Sequence, residues 1–359
     1  MVPRRVLLSI LSAAVLCGAL MTGTAWAAEA PAAPVVPAPT PVPAPTPAPA
    51  VAPANGSMKL IIQQAHGSPP FVLLGERIVV RGIVVPYVAG QKVALSVFRD
   101  GRRVLSRGVG VSAVGNGAGQ FHFAYASPRT GLVSVSAEHG ATPQLDAFTA
   151  KAVNVRFEPS TLGIGARGPA VRLLQSELAR VRYEVPVNGY FDEATARAVL
   201  AFRKVTGLER IESADARVFQ LLQRGAGRFH VRYPGDGTHV EGDLSKQVLV
   251  EVERGGRVRR IYTMSSGKPS TPTVLGRFRV YSQTAGTNSE GMVDSSYFIR
   301  GYAIHGYAEV PAYAASHGCL RIPIPNAPAV FGWVKVGYPV DVYTESGRGS
   351  KQVRNNAGP

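Results

Sequence analysis

The chain has 359 residues, with 39 lysines and arginines against 23 acids for a formal charge of +16, and only two cysteines, Cys17 and Cys319. Charge of this sign and size ordinarily points to nucleic acid, but a leader directs the chain out of the cell, so no nucleic-acid partner is expected. The anions met there are wall polymers, phospholipid headgroups and peptide carboxylates, and the positive charge reads as retention on such a surface, or as a solubility device.

That leader occupies residues 1–27. Arg4-Arg5, the apolar run from Val6 to Met21 and Ala25-Trp26-Ala27 are the charged, hydrophobic and small-x-small regions of a secretory signal peptide. Cleavage after Ala27 discards Cys17 and lowers the charge to +14. It leaves a single thiol, which excludes an internal disulfide and marks Cys319 as reactive. An uncleaved membrane anchor is the alternative, because the apolar run is only slightly short of a span. Leu16, standing before Cys17, argues against lipidation. Residues 28–56, almost wholly Pro, Ala and Val, form a linker that favours extended polyproline II and reaches about 75 Å when fully stretched.

Residues 57–157 carry short β-rich runs: Leu60-Ile61-Ile62, Ile78-Val79-Val80, Val93 to Phe98, Phe121 to Tyr125 and Val133-Ser134-Val135. Alternation in Val93 to Val97, followed by Asp100-Gly101, predicts a hairpin, and the whole predicts a small immunoglobulin-like sandwich. It shows no chemistry, and His66, His122 and His139 are read as strand or surface residues. Between 160 and 225 the period turns helical. Pro169 opens one helix with Val171, Leu174 and Leu178 on a face; Asp192 caps a second with Ala198, Val199 and Phe202 inward; Ser213 is placed to cap a third. On pattern alone this is a structural helical bundle.

From 227 to 344 strands return in Val248 to Val252, Val258 to Met264, Gly276 to Tyr281, Tyr302 to Ile304 and Pro339 to Tyr343, with one helix from Asn326 to Lys335. A mostly β catalytic domain is expected, ahead of a basic tail at 345–359. Cys319 sits here in Ser316-His317-Gly318-Cys319-Leu320-Arg321, fourteen residues after His305-Gly306. An unassisted thiol of pKa about 8.5 is mostly protonated at neutral pH, so attack on a carbonyl needs an imidazole or a positive field; two histidines and Arg321 supply both, and the sulfur is expected to be held ionised. Glycine beside it lets backbone N–H groups face an oxyanion. A buried inert cysteine is disfavoured by these polar neighbours. A zinc site of His305, His317 and Cys319 is disfavoured by the lone thiol and the lack of a Cys-x-x-Cys or His-Glu-x-x-His pattern. No metal or cofactor is expected.

These motifs resemble two families. Gly165-x-x-Gly168, Val171, Leu174-Gln175, Leu178, Val187-Asn188-Gly189-Tyr190-Phe191-Asp192, Thr195, Ala198-Val199 and Phe202 resemble the three-helix peptidoglycan-binding domain, with Arg203 where that family usually has Gln. Ile304-His305-Gly306 and Ser316 to Arg321, with Ser265-Ser266-Gly267, Thr271-Pro272-Thr273 and Gly276-x-Phe278 upstream, resemble the catalytic domain of L,D-transpeptidases. Here Val274-Leu275 interrupts the usual Thr-Pro-Thr-Gly.

The resemblance implies a ping-pong acyl transfer that makes 3→3 cross-links between peptidoglycan stem peptides. Cys319 is the implied nucleophile and His305 the implied base and later acid, with the Gly306 carbonyl orienting its ring; His317, Gly318 and Cys319 are the implied oxyanion donors. Which histidine takes the proton stays open, because His317 is nearer in sequence. Arg321 either holds a substrate carboxylate or braces the loop. Ser316, Tyr297 and Met292 are further substrate-side candidates, Phe298 and Tyr307 are cleft or core, and the polar run Thr284 to Asp294 lies where a lid could be. Carbapenem-type β-lactams are implied inhibitors. Two rival readings remain: an exported L,D-carboxypeptidase or cysteine peptidase on the same stems, and a wall-binding protein without catalysis.

Overall fold

The computed structural model describes residues 52–346 and the isolated Gly23. The rest of the leader, the linker up to residue 51 and the tail beyond residue 346 lie outside the described residues. Among the described residues no helix is long and apolar enough to cross a membrane.

Ten strands come first: β1 (Ser57–Gln63), β2 (Phe71–Leu73), β3 (Ile78–Val85), β4 (Lys92–Arg99), β5 (Arg102–Gly110), β6 (Ser112–Gly115), β7 (Ala118–Tyr125), β8 (Gly131–His139), β9 (Phe148–Thr149) and β10 (Val153–Glu158). They form one sheet in the order β1-β3-β7-β6 and another in the order β2-β10-β8-β4-β5, with β9 on β8. Side chains alternate across a strand, so every second residue of β3 and β4 turns inward. Val80 and Phe121 of the first sheet thereby meet Val97 and Val135 of the second in one core. The expected hairpin at Asp100-Gly101 is present, both residues having the positive φ that a two-residue turn of this hand requires.

The helices are α1 (Pro169–Arg180), α2 (Glu193–Thr206) and α3 (Ala216–Gln223). Pro169 opens α1, and the Asp192 carboxylate caps α2 by accepting from Thr195 N–H at 2.8 Å. The cap of α3 is Asp215 rather than the expected Ser213. Asp215 Oδ1 accepts from Val218 N–H at 2.9 Å, while the Ser213 carbonyl is taken by Arg203 Nε at 2.8 Å. Arg203 also pairs with Asp215 at 2.7 Å and is buried, so the residue that replaces the family's Gln is an internal brace. Gln175 is buried at the centre of the module, donating to Asn188, Tyr190 and Thr195 and accepting from the N–H groups of Asn188 and Gly189. The module is not a free-standing bundle: its core takes in Phe71 and Leu73 of β2 on one side, and residues of the strands that follow on the other.

Those strands are β11 (His239–Asp243), β12 (Val248–Glu253), β13 (Arg257–Thr263), β14 (Gly276–Arg279), β15 (Ser282–Thr287), β16 (Val293–Ile299), β17 (Tyr302–Tyr307), β18 (Leu320–Pro323) and β19 (Pro339–Tyr343). They form a five-stranded sheet, β13-β12-β11-β19-β14, and a four-stranded sheet, β15-β16-β17-β18. Val240, Leu249 and Tyr262 of the first pack with Phe298, Ile304 and Leu320 of the second and with Val330 of α4 (Ala327–Trp333). Phe298 is therefore core and lines no cleft. The segment Thr284 to Asp294 forms part of the β15–β16 hairpin, closed by the Asn288 N–H bond to the Met292 carbonyl at 3.0 Å.

Candidate functional site

The cysteine segment is the crossover into β18, which pairs in parallel with β17 in the register Ile304↔Leu320 and His305↔Arg321. Ile304 and Leu320 point into the core. By the two-residue period, His305, Arg321 and Cys319 then share the opposite face. Tyr297 of β16 pairs with Ala303 and joins that face, and Met292 lies at the end of the neighbouring hairpin, whose Gly291 approaches the Tyr307 ring.

His305 is 2% exposed. Its Nδ1 lies 2.9 Å from the Gly306 carbonyl, which can only accept, so Nδ1 carries the proton and Nε2 keeps its lone pair. Its ring meets Tyr307 edge to face at 5.6 Å. Burial lowers its pKa to about 4; nearby Arg321 adds to this and the Gly306 bond opposes it. His305 is thus a neutral imidazole at physiological pH.

Cys319 is half-buried, with Sγ 3.8 Å from the Gly301 carbonyl. Among the described residues its thiol has no hydrogen bond to an imidazole. Burial raises its pKa, outweighing the Ala303 N–H and Arg321, which favour the thiolate. The expectation of a sulfur held ionised is corrected here: the same burial that empties His305 of its second proton keeps the proton on the thiol. Thiol and imidazole are therefore both uncharged at rest.

Two other expectations change. Ser316 is fully buried, and its hydroxyl closes the loop by accepting from Gly318 N–H at 3.0 Å and donating to the Cys319 carbonyl at 2.7 Å. It has no surface to offer substrate, and it engages the Gly318 N–H that an oxyanion would need, which leaves the N–H groups of His317 and Cys319 as the candidate donors. His317 points out to solvent, where its Nε2 lies 3.3 Å from Lys268 Nζ. The two histidines are therefore separated in environment, one buried and carbonyl-tied, the other exposed.

Arg321 is 8% exposed with its guanidinium over the Tyr307 ring at 3.8 Å, and among the described residues no carboxylate lies within ion-pair distance of it. Its backbone exchanges two 2.9 Å bonds with Ser265. Ser266 O accepts from Ala315 and Ser316 N–H, Lys268 N–H reaches the Ser316 carbonyl, and Thr271 Oγ1 donates to it at 3.0 Å. The upstream Ser-Ser-Gly and Thr-Pro-Thr motifs are thus the floor of the cysteine loop. Gly267 belongs there because a Cβ would come 2.3 Å from the Thr271 carbonyl.

Tyr302, Gln247 and Lys268 were not legible as site residues. Tyr302 packs on Gly318, whose φ is +124° and where a Cβ would fall 2.1 Å from the ring. Gly318→Ala is expected to cost about 1–3 kcal/mol of stability and to slow modification of Cys319; unchanged melting and unchanged thiol reactivity would refute this packing. Among the described residues no group of three or more His, Cys, Asp or Glu is placed to hold a metal ion.

Residues 237–342 match the family model of the L,D-transpeptidase catalytic domain of YkuD type, and residues 167–210 that of a peptidoglycan binding domain. The chain is similar to the crystal structure of the L,D-transpeptidase of Xylanimonas cellulosilytica, at 33% identity over 52% of this chain and 98% of that one, with a TM-score of 0.49. It is also similar to a cysteine-to-serine mutant of the Enterococcus faecium L,D-transpeptidase, at 29% identity over 30% of this chain and 50% of that one, with a TM-score of 0.27. A third similar structure, the avibactam carbamoyl form of the enzyme Ldtfm, shares 27% identity over 33% of this chain and 51% of its own, with a TM-score of 0.27. A search of curated proteins returned no match.

Proposed function

Since the chain belongs, through residues 237–342, to the L,D-transpeptidase family, we propose that it forms 3→3 cross-links between peptidoglycan stems through a thioester on Cys319, outside the cytoplasmic membrane. The observation that carries this reading is the buried neutral His305, its Nδ1 tied to the Gly306 carbonyl and its strand paired with the one that Cys319 leads into.

In this reading the Cys319 thiol passes its proton to His305 Nε2 as sulfur bonds to the carbonyl carbon of the third stem residue. The tetrahedral oxyanion is met by the N–H groups of His317 and Cys319. Collapse breaks the bond to the terminal D-alanine, whose amine leaves with the proton from His305. An amine of a second stem then attacks the thioester, gives its proton to His305 and releases the thiol, closing the cycle with atoms balanced. Arg321, which has no carboxylate within ion-pair distance among the described residues, is the group for a stem carboxylate. Tyr297 and Met292 border the cleft, the helical module holds the wall, and the first ten strands serve as an immunoglobulin-like spacer. Avibactam acylates the relative named above, and a carbapenem is expected to acylate Cys319 here.

The deciding experiment incubates purified protein with synthetic tetrapeptide stems and follows mass. A dimer lacking one D-alanine is the expected product. Tripeptide alone would make the protein a carboxypeptidase, and unchanged stems would leave only wall binding.

A further inference from the structure

Lys204, near the end of α2, is 3% exposed, and its ammonium leaves its own module. Nζ donates to the Gln247 carbonyl at 3.1 Å, the Thr263 hydroxyl at 2.7 Å and the Met264 carbonyl at 3.0 Å. All three acceptors belong to the catalytic domain, and two of them sit where β13 runs into Ser265-Ser266-Gly267. Burial pushes the ammonium's pKa down to about 7, with Arg210 adding to the shift and Glu212 opposing it. An apolar residue of the same length would fill this space at lower cost, so the three directed bonds are the reason for a lysine.

Beyond the acceptors the bonds run on to the nucleophile. The Gln247 side chain accepts from Ser266 N–H at 2.8 Å and donates to Ser266 Oγ at 2.7 Å. Ser266 O accepts from Ala315 and Ser316, and Ser265 is bonded twice to Arg321, so both flanks of Cys319 rest on this segment. A second tie arrives from the same module: Arg210, just past α2, donates to the Ala312 carbonyl at 2.9 Å and to the Ser245 carbonyl at 2.9 Å. Ala312 belongs to the loop that leads into Ser316.

We propose that Lys204 is a positioning residue for acyl transfer, fixing with Arg210 the backbone under and before Cys319, so that the wall-binding module sets the geometry of the nucleophile as well as tethering it. This rests on the acyl-transfer reading above. The test measures kcat and KM for D-alanine release from a synthetic tetrapeptide stem, and co-sedimentation with insoluble peptidoglycan, in the full chain. For Lys204→Met, kcat is expected to fall at least tenfold with KM and sedimentation within twofold of wild type. A kcat within twofold, or a change confined to KM or to the melting temperature, would overturn the proposal. Should Lys204→Met fail to fold, Arg210→Ala, an exposed position, decides: at least a threefold fall in kcat at unchanged melting supports the proposal, and an unchanged kcat refutes it. Wild-type protein that releases no D-alanine would instead remove the acyl-transfer reading, and this inference with it.

Discussion

Cys319→Ala is expected to reduce D-alanine release from a tetrapeptide stem to background while sedimentation with peptidoglycan stays at the wild-type level. The sulfur is the only thiol among the described residues, and Cys319 leads into the strand that pairs with that of His305. The change removes one half-buried atom, so melting is expected to move by no more than a few degrees. Cys319→Ser tests the chemistry more sharply. A hydroxyl far less acidic than a thiol would face a base whose own proton affinity burial has weakened, so turnover is expected to fall nearly as far as in the alanine variant. Cross-linking retained in the alanine variant would place the nucleophile elsewhere and end the thioester account.

His305→Gln is expected to lower the acylation rate by about 10²- to 10⁴-fold, the range over which a positioned base contributes. The pH profile of the wild type carries the more specific signature. An imidazole whose pKa is lowered to about 4 is a free base at any pH above that and is lost only as pH falls through 4. The acid limb of kcat/KM for a neutral stem analogue is therefore expected near pH 4, whereas an ordinary histidine would give it near 6.5. His317→Gln, altering the solvent-facing ring, is expected to leave that limb in place. An acid limb that vanishes in His317→Gln would assign the proton to the exposed histidine instead.

What could be read from the sequence divides by the range of the interactions. Pro169 and Asp192 announce their helices because a helix start is decided within a turn of chain. The choice between Ser213 and Asp215 was not legible, since it depends on Arg203 ten residues upstream taking the Ser213 carbonyl. The cysteine segment stood out by its polarity, but polarity alone could not distinguish a side chain facing substrate from one saturated within its own loop, which is where Ser316 stands. The charge state of the site failed for the same reason. His317 and Arg321 flank the sulfur in sequence and suggest a thiolate, whereas desolvation of His305 and Cys319 in the folded chain reverses the balance. Strand β15 gave no signal because Ser282 to Thr287 is polar and mostly exposed, with no apolar alternation to betray a strand.

The position of β19 has a consequence for how the molecule comes into being. It lies inside the five-stranded sheet, parallel to β11 and antiparallel to β14, and β14 has no other partner there. A hairpin such as β12–β13 can close as it leaves the ribosome, but this sheet is stitched by the last of its five strands to be translated. A break anywhere in residues 339–343 would unseat two strands at once, so the domain is made whole or not at all.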